Sequence, residues 1–444
     1  MREGLTAAFR RSAAINVRRH WAAIAFGVAA LAVTVHPPYN NTPPIRSDGV
    51  GYHAWTRAFV DGDFDFCRMD PVVEEVGAVP VLPSGASTCA NKYPMGLALL
   101  RLSVMFPFTL ANHGHVRSGA EDAVNQACSL AAGVAAVAVS VAALGRLGVS
   151  RRLANAVALL TAFGTGLYHY ATYDSSFAHV YLAALVAWFC YVGCRWVIQP
   201  VREGHAVVFG RRLQWANGVA AFFFVSIRMT SLFPLVVLLA AAMVTTGVHH
   251  SREWRAALRI AGAPLAGAAA AVVLQVAYNR AAFHIWTLFS YRGESLGGSG
   301  WHQWDVMFSP TKGLFTWYPI LALAIVGMIA ARARAALALT VAAIVPFVLL
   351  YGSWHVWTLA GGFGHRGFVD LVPVFTITFA VALSRLPSPW RRAVTGLAAL
   401  ATLFTMGVMV AYWRGHVSFY GATAGQLWRY GVVRNDLFWS LLHP

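Results

Sequence analysis

The chain has 444 residues, of which 58% are hydrophobic and only 11% are charged, and its formal net charge is +17. Soluble domains carry about 25% charged residues, so this composition excludes an ordinary soluble protein. The apolar runs are continuous and roughly 20 residues long, which predicts membrane-spanning helices and excludes the alternating strands of a membrane barrel. The excess of basic residues then indicates cytoplasmic loops rich in Arg and no nucleic-acid partner.

The first predicted helix covers about residues 21–35 and follows a basic N-terminal segment with Arg10, Arg11, Arg18 and Arg19. Because loops on the cytoplasmic side collect basic residues, this flank places the N-terminus in the cytoplasm. No convincing small-residue cleavage site follows the apolar run. We therefore expect a retained helix and not a cleaved signal peptide.

Residues 37–124 form the predicted first outer loop. Its polar part up to Lys92 holds seven of the 17 acidic residues and only four basic ones, which suits an outer location. Cys67 and Cys89 share this loop. An oxidising compartment would allow them to form a disulfide, and the sequence leaves their pairing open.

The apolar stretch from Tyr93 to Leu110 is short and contains Pro94, Arg101 and Pro107. Counting it as a span would put every later basic loop on the outer side. We therefore interpret it as a helix that lies in the membrane interface. With this one choice, the basic groups near residues 146–152, 195–212, 252–259, 332–334 and 385–392 all fall on the cytoplasmic side.

The remaining predicted spans are about residues 125–145, 153–169, 176–195, 214–228, 231–248, 257–279, 313–331, 335–351, 367–384 and 391–412. The run 214–248 is too long for one span, and its interruption at residues 226–230 and Pro234 predicts two helices that meet at the outer face near Arg228. The sequence thus predicts an all-α polytopic membrane protein with about eleven transmembrane helices. Residues 1–412 form one transmembrane domain, and residues 413–444 form a short outer or interfacial tail.

Asp48 is the leading candidate for a functional acid. It lies about a dozen residues beyond the first span, and Gly49 and Gly51 would allow a tight turn that presents its carboxylate to a cleft. An ordinary turn aspartate is the alternative. Asp61, Asp63 and Asp65 suggest an oxygen cluster for a cation, but they lack the twelve-residue calcium-loop pattern, which favours a solvated loop.

A second polar cluster spans residues 168–179 and includes His169, Asp174 and His179. Polar groups near the membrane are costly unless they line a wet cavity or pair with one another. Ser175 with His169 and Asp174 has the composition of a hydrolytic triad, but no nucleophile-elbow motif supports a hydrolase.

Basic and aromatic residues fill the other predicted outer segments. Arg228, Arg292, Lys312 and Arg366 suit a phosphate group, since Arg binds phosphate in a bidentate manner, although snorkelling to ordinary lipid phosphates is the simpler explanation. His302, His355 and His365 lie among Trp residues in these loops. Such Trp residues are typical of an interfacial aromatic belt and equally of a sugar-binding surface.

Five short motifs occur in a characteristic order. They are Ser47-Asp48-Gly49 with Gly51-Tyr52; Lys92-Tyr93-Pro94 with Gly96; Ser176 with Ala178-His179; Phe308-Ser309-Pro310 with Lys312-Gly313-Leu314-Phe315; and Gly364 with Arg366 and Asp370. In this order, and after an N-terminal helix, they resemble bacterial members of the GT-C superfamily of membrane glycosyltransferases, including the protein O-mannosyltransferase-like and aminoarabinose-transferase-like branches.

The resemblance implies an inverting transferase in the bacterial inner membrane that moves a sugar from a polyprenyl-phosphate donor to a lipid, glycan or protein acceptor at the periplasmic face. It implies Asp48 as the catalytic base, and Arg228, Lys312 and Arg366 are the candidates for binding the donor phosphate. Further substrate-binding candidates are Tyr52, His53, Lys92, Tyr93, His169, Asp174, His179, Arg292, His302, His355 and His365.

This sequence departs from the family pattern at one informative place. Many relatives carry two adjacent acids in the first loop, whereas Ser47 precedes Asp48 here and Gly49 follows it. A metal requirement is therefore left open, with a divalent cation as the candidate cofactor. Two other functions remain as alternatives: a transporter or flippase of a lipid-linked saccharide, which would be expected to show internal repeats, and a ligase or polymerase of glycan chains.

Overall fold

A computed structural model describes residues 19–35, 44–67, 89–112, 118–205, 207, 209–249, 254–289, 296–297, 300–435 and 437. In these residues the regular secondary structure is helical, and there is no β-strand. The helices are α1 Trp21–Val35, α2 Asp48–Asp61, α3 Gly96–Ala111, α4 Gly119–Arg146, α5 Arg151–Phe163, α6 Leu167–Thr172, α7 His179–Gly193, α8 Gln199–Arg202, α9 Arg211–Ile227, α10 Leu232–His249, α11 Trp254–Phe283, α12 Gln303–Phe308, α13 Leu314–Trp317, α14 Pro319–Ala330, α15 Arg334–Gly352, α16 Val372–Arg385, α17 Ser388–Trp413 and α18 Ala424–Trp428.

Seven helical segments in the described ranges are long and apolar enough to cross a membrane. They are Gly119–Arg146, His179–Arg202, Met229–Gly247, Ile260–Phe283, Arg334–Gly352, Arg366–Arg385 and Ser388–Trp413. Three shorter apolar helices, α1, α3 and α14, accompany them. The prediction of an all-helical, multi-pass membrane protein is therefore confirmed.

The predicted break inside the run 214–248 is also confirmed. Helix α9 ends at Ile227, Arg228 has an extended backbone (φ −156°, ψ 121°), and a 3-10 turn at Met229–Ser231 leads into α10. A charged side chain beside apolar helices needs polar partners, and the extended backbone lets the half-buried Arg228 side chain reach them.

Two other predicted spans are interrupted, which the sequence analysis did not anticipate. The span predicted at 153–169 is divided into α5 and α6 at Gly164, where a Cβ would press on the carbonyl oxygen of Leu160 and the hydroxyl of Thr402. The span predicted at 313–331 is divided into α13 and α14 at Tyr318, because Pro319 has no N–H with which to continue the preceding helix.

Helices α2 and α3 of the first loop pack on the bundle. The Trp55 indole donates a hydrogen bond to the Tyr93 carbonyl at 2.7 Å, and Tyr278 of α11 both accepts from the Asn91 amide and donates to the Asn91 carbonyl. One side of α3 buries Leu97, Arg101 and Met105, while its other side exposes apolar residues. The buried side of α3 and the hydrogen bonds between Asn91 and Tyr278 therefore attach the first loop to the helix bundle.

Two further links involve the first loop and the C-terminal tail. Cys67 and Cys89 form a disulfide with their Cα atoms 4.8 Å apart, which answers the question that the sequence left open. The tail after α17 folds back on this helix, where the Asn435 side chain donates to the Leu403 carbonyl at 2.9 Å. The described part of the tail therefore belongs to the folded bundle.

Candidate functional site

A cavity of about 420 Å³ lies where the N-terminal end of α2, the start of α7, the break between α9 and α10, and the C-terminal end of α15 meet. Apolar and aromatic side chains from residues 288–289, 350–359 and 419–420 share its lining with charged and polar ones. Eight residues that the sequence predicts for the site line this cavity: Asp48, Tyr52, Lys92, Tyr93, His179, Arg228, His355 and Arg366. The first-loop acid and two of the three predicted phosphate-binding cations are thus brought together.

The sequence suggested that Asp48 lies in a tight turn. In the structure it is instead the first residue of α2. The two glycines serve close packing. A Cβ on Gly49 would overlap the side chain of Ser176, and a Cβ on Gly51 would overlap the ring of Tyr93. The glycines therefore let the first turn of α2 lie directly against the segment before α7 and the ring of Tyr93, and this contact places the Asp48 carboxylate at the cavity.

The Asp48 carboxylate has a different partner for each of its two oxygens. Its Oδ2 accepts from Nη2 of Arg366 at 2.9 Å, and its Oδ1 accepts from the Tyr93 hydroxyl at 3.1 Å. Arg366 begins a short 3-10 segment, Arg366–Leu371, and its guanidinium also lies over the Phe177 ring at 5.2 Å. A quarter of the Asp48 side chain stays exposed, so the carboxylate is held in place and still accessible from the cavity.

Arg228 forms the second cationic part of the lining. Its Nη1 lies 3.9 Å from the Asp370 carboxylate and 3.4 Å from Nδ1 of His179, and that His179 nitrogen lies 2.8 Å from Asp370. Asp370 is buried behind these two residues. It therefore fixes both side chains at the cavity wall, while the guanidinium of Arg228 and that of Arg366 share the same cavity.

Lys312 and His365 do not line the cavity, contrary to the prediction. Lys312 is buried behind the wall and donates to the Ala360 carbonyl, while His365 Nε2 faces the Trp357 carbonyl at 3.1 Å. Burial, and then Arg366, lowers the pKa of Lys312 to about 7, and burial, with Lys312, lowers the pKa of His365 to about 3. Both residues therefore hold the backbone of the segment 357–361, and neither side chain reaches the cavity.

His169 and Asp174 also lie outside the cavity. The Asp174 carboxylate binds Arg46, whose Nη2 and Nε donate to Oδ1 at 2.7 Å and 3.0 Å, and its Oδ2 faces His169 Nε2 at 2.7 Å. Burial alone would raise the pKa of Asp174, but Arg46 and His169 outweigh it and hold this pKa well below its usual range. The two predicted substrate contacts are instead parts of a closed, buried network.

The remaining predicted residues lie elsewhere. His53 is buried on α2 with its Nε2 at 3.3 Å from Glu121, and burial lowers its pKa despite that carboxylate. His302 faces Asp305 at 2.8 Å and stacks on Trp357. Arg292 lies outside the described residues. His53 and His302 thus each lie beside a nearby carboxylate, and neither lines the cavity.

The donor set of the cavity does not fit a divalent cation. Asp48 is the one carboxylate among the described residues that line it, and both of its oxygens already accept hydrogen bonds. Calcium and magnesium sites need several oxygen ligands. Asp65 lies near Cys67 and Cys89, but the two sulfurs are joined to each other, and Asp65 accepts from the amides of both cysteines.

Sequence reasoning missed three features of this site. Arg46 was not among the predicted site residues, although a cation two residues before a candidate base in an acidic loop is a signal. Tyr351 lines the cavity from the end of α15, with the Arg228 guanidinium 5.8 Å from its ring centre. Phe419 and Tyr420 bring the C-terminal tail to the cavity, which no local pattern indicated.

Comparisons of the chain with protein-family models, with curated proteins and with solved structures found no match.

Proposed function

We propose that this membrane protein is a glycosyltransferase that moves a sugar from a polyprenyl-phosphate donor to an acceptor hydroxyl by inverting single displacement. Asp48 acts as the base. The acceptor oxygen attacks the anomeric carbon, the bond from that carbon to the phosphate oxygen breaks, and the acceptor proton passes to the Asp48 carboxylate. The polyprenyl phosphate leaves with the bonding electron pair.

Arg366 and Arg228 bind the phosphate of the donor in this proposal. A leaving phosphate gains negative charge in the transition state, and preorganised cations stabilise that charge most effectively where water is excluded. Both guanidinium groups line the cavity, and both are already oriented by carboxylates, Arg366 by Asp48 and Arg228 by Asp370. The hydrogen-bonding fork of Arg matches the oxygens of a phosphate.

The observation that carries the proposal is the ion pair between Asp48 and Arg366 at 2.9 Å in this cavity. A base for the acceptor and a cation for the leaving group must face the same cavity, because the bond that forms and the bond that breaks share one carbon atom and lie on its opposite sides. The aromatic residues Trp354, Phe419 and Tyr420 in the same lining suit the apolar face of a sugar ring.

The orientation in the membrane belongs to the same proposal. Eleven spans, with α3 in the interface and the N-terminus in the cytoplasm, put the cavity at the outer face of a bacterial inner membrane. The disulfide between Cys67 and Cys89 supports an outer location for the first loop, since disulfides persist in oxidising compartments. The partners would be the lipid-linked sugar, a lipid, glycan or protein acceptor, and the surrounding membrane lipids.

The test is sugar transfer by the purified protein in nanodiscs. A panel of radiolabelled polyprenyl-phosphate sugars is combined with lipid, glycan and peptide acceptors, and the labelled product and the released polyprenyl phosphate are both measured. The proposal expects equal amounts of the two products. Movement of intact labelled donor across proteoliposome membranes, with no released polyprenyl phosphate, would support the transporter instead and would contradict the transferase.

A further inference from the structure

The segment that precedes Asp48 is anchored through Arg46. The Arg46 guanidinium donates to the Asp174 carboxylate through Nη2 and Nε and lies over the Tyr173 ring at 3.8 Å. Its backbone is held as well, because its amide donates to the Ser176 hydroxyl and its carbonyl accepts from that hydroxyl, each at 3.3 Å. Both the side chain and the main chain of Arg46 are therefore bound to residues 173–176.

Asp174 is itself held by a buried chain of hydrogen bonds. The Trp413 indole N–H donates to His169 Nδ1 at 2.9 Å, so the hydrogen of the neutral imidazole lies on Nε2 and points at Asp174, 2.7 Å away. His169 is also stacked on Phe363 at 5.0 Å. Trp413 is the last residue of α17, and this chain of contacts connects Asp174 to the rigid end of a long apolar helix.

The geometry between Arg46 and Asp48 transmits this restraint. Ser47 has a positive φ of 51°, a conformation that L-residues rarely adopt and that persists only where its surroundings impose it. The Gly49 amide donates to the Arg46 carbonyl at 2.9 Å, and the Val50 amide donates to the Ser47 carbonyl at 2.9 Å. The first turn of α2 thus begins at a point that Arg46 fixes, and Asp48 lies in that turn.

We propose that Arg46 and Asp174 are positioning residues, and that their ion pair sets the start of α2 and thereby directs the Asp48 carboxylate into the cavity. Neither residue lines the cavity, so both act through Asp48 and not on a substrate. This role rests on the proposed function for its effect on turnover, but the structural restraint itself does not depend on the reaction. Loss of the ion pair between Arg46 and Asp174 would allow Ser47 to leave its positive-φ conformation, and the first turn of α2 could then shift.

The test compares Arg46→Lys, Arg46→Gln and Asp174→Asn with Glu121→Gln. Glu121 provides the matched control because it also forms a buried ion pair with α2, through Arg57 at 3.2 Å and His53 at 3.3 Å, but further along the helix. Arg46→Lys keeps the charge and loses the paired Nε and Nη2 geometry. It also provides a variant that is expected to fold if Asp174→Asn does not.

The first readout is hydrogen–deuterium exchange in nanodiscs, which requires no substrate. We expect exchange at residues 44–52 to rise on the order of tenfold in Arg46→Gln and Asp174→Asn and less in Arg46→Lys, because local opening becomes easier when its restraint is lost. Glu121→Gln should leave these amides at the wild-type rate. Unchanged exchange at residues 44–52 in both Arg46 variants, or an equal rise in Glu121→Gln, would overturn the proposal.

The second readout is turnover with the donor and acceptor found in the transfer assay. We expect kcat to fall on the order of a hundredfold in Arg46→Gln, since a displacement of about 1 Å at a reacting group costs that much. KM for the donor should stay near the wild-type value, because Arg228 and Arg366 are untouched. Retention of wild-type kcat by a variant whose exchange has risen would overturn the positioning role. If no donor reacts with the wild type, that result counts against the proposed function. The exchange measurement alone then decides whether Arg46 and Asp174 restrain α2.

Discussion

The Asp48 carboxylate and the Arg366 guanidinium form an ion pair at 2.9 Å, although one begins α2 in the first loop and the other precedes α16 near the end of the chain. The pair lies at a cavity wall and leaves part of Asp48 exposed. An incoming donor phosphate would compete with Asp48 for Arg366. Binding of the donor would therefore free one carboxylate oxygen for the acceptor hydroxyl, which makes donor-first binding the expected order.

Arg366→Gln should lower kcat/KM for the donor on the order of a hundredfold, because it removes a preorganised charge from the leaving phosphate. Arg366→Lys should restore only part of this loss, since an ammonium lacks the two parallel N–H groups. Steady-state kinetics with the donor varied measure the effect. Arg414→Gln, at an exposed arginine after α17, is the control, and an Arg366→Gln enzyme with wild-type kcat/KM would remove Arg366 from the phosphate site.

Gly49→Ala should lower both the thermal stability and the transfer rate, because the added Cβ would overlap the Ser176 side chain. Overpacking of this kind costs about 1–3 kcal/mol, and here it would push the first turn of α2 away from residues 173–176. Ser176→Gly in the same chain should restore part of the loss by removing the clashing atoms. Thermal denaturation and transfer rates measure both effects. Gly145→Ala, where a Cβ would meet nothing within 4 Å, should be neutral, and equal effects of the two alanine substitutions would refute the packing argument.

Lys312 should make the stability of the fold depend on pH. Burial and Arg366 lower its pKa to about 7 from the usual lysine value of 10.5. Below pH 7 the ammonium is charged in both the folded and the unfolded state, whereas between these two pKa values only the unfolded state binds the proton, so stability rises with pH. The slope is at most about 1.4 kcal/mol per pH unit.

Comparison with Lys312→Met isolates this contribution. The stability of the wild type relative to Lys312→Met should increase between pH 7 and pH 10 and stay constant from pH 5 to pH 6, as measured by denaturation in detergent. A difference that does not change with pH, or that falls as pH rises, would contradict the assignment of a buried, weakly basic Lys312.

The proposed orientation predicts the location of two fusion points. A reporter joined after residue 120, at the start of α4, should be outside, and one joined after residue 150, between α4 and α5, should be inside. In the proposed orientation, α3 lies in the interface and only α4 crosses the membrane between these points. Fluorescence and phosphatase reporters distinguish the two sides, and the reverse pattern would make residues 93–110 a true span.

The helix positions were largely predictable because apolar length and charge are local properties of the chain. The break at Arg228 followed from a guanidinium in a long apolar run, and the structure has it at that residue. The interruptions at Gly164 and Pro319 were not anticipated, since an apolar run hides a helix end that is decided by a glycine contact or by a missing N–H.

The site was only partly predictable because side-chain direction depends on distant segments. Lys312 and Arg366 are both cations in short motifs, yet Lys312 lies behind the strained turn at Leu359 and Ala360 while Arg366 faces the cavity. His169 and Asp174 formed a conspicuous polar cluster in the sequence, but their partners, Trp413 and Arg46, lie far away along the chain. Only the tertiary fold shows which polar residues line the cavity and which are buried away from it.

The most direct measurement compares wild type and Asp48→Asn for sugar transfer and for donor binding in the same nanodisc preparation. Asn keeps the shape of the side chain but cannot accept the proton of the acceptor. We predict that Asp48→Asn binds the lipid-phosphate sugar with an affinity at least equal to that of wild type, because Arg366 is released, and that transfer falls below detection. Transfer by Asp48→Asn at the wild-type rate would contradict the assignment of Asp48 as the base.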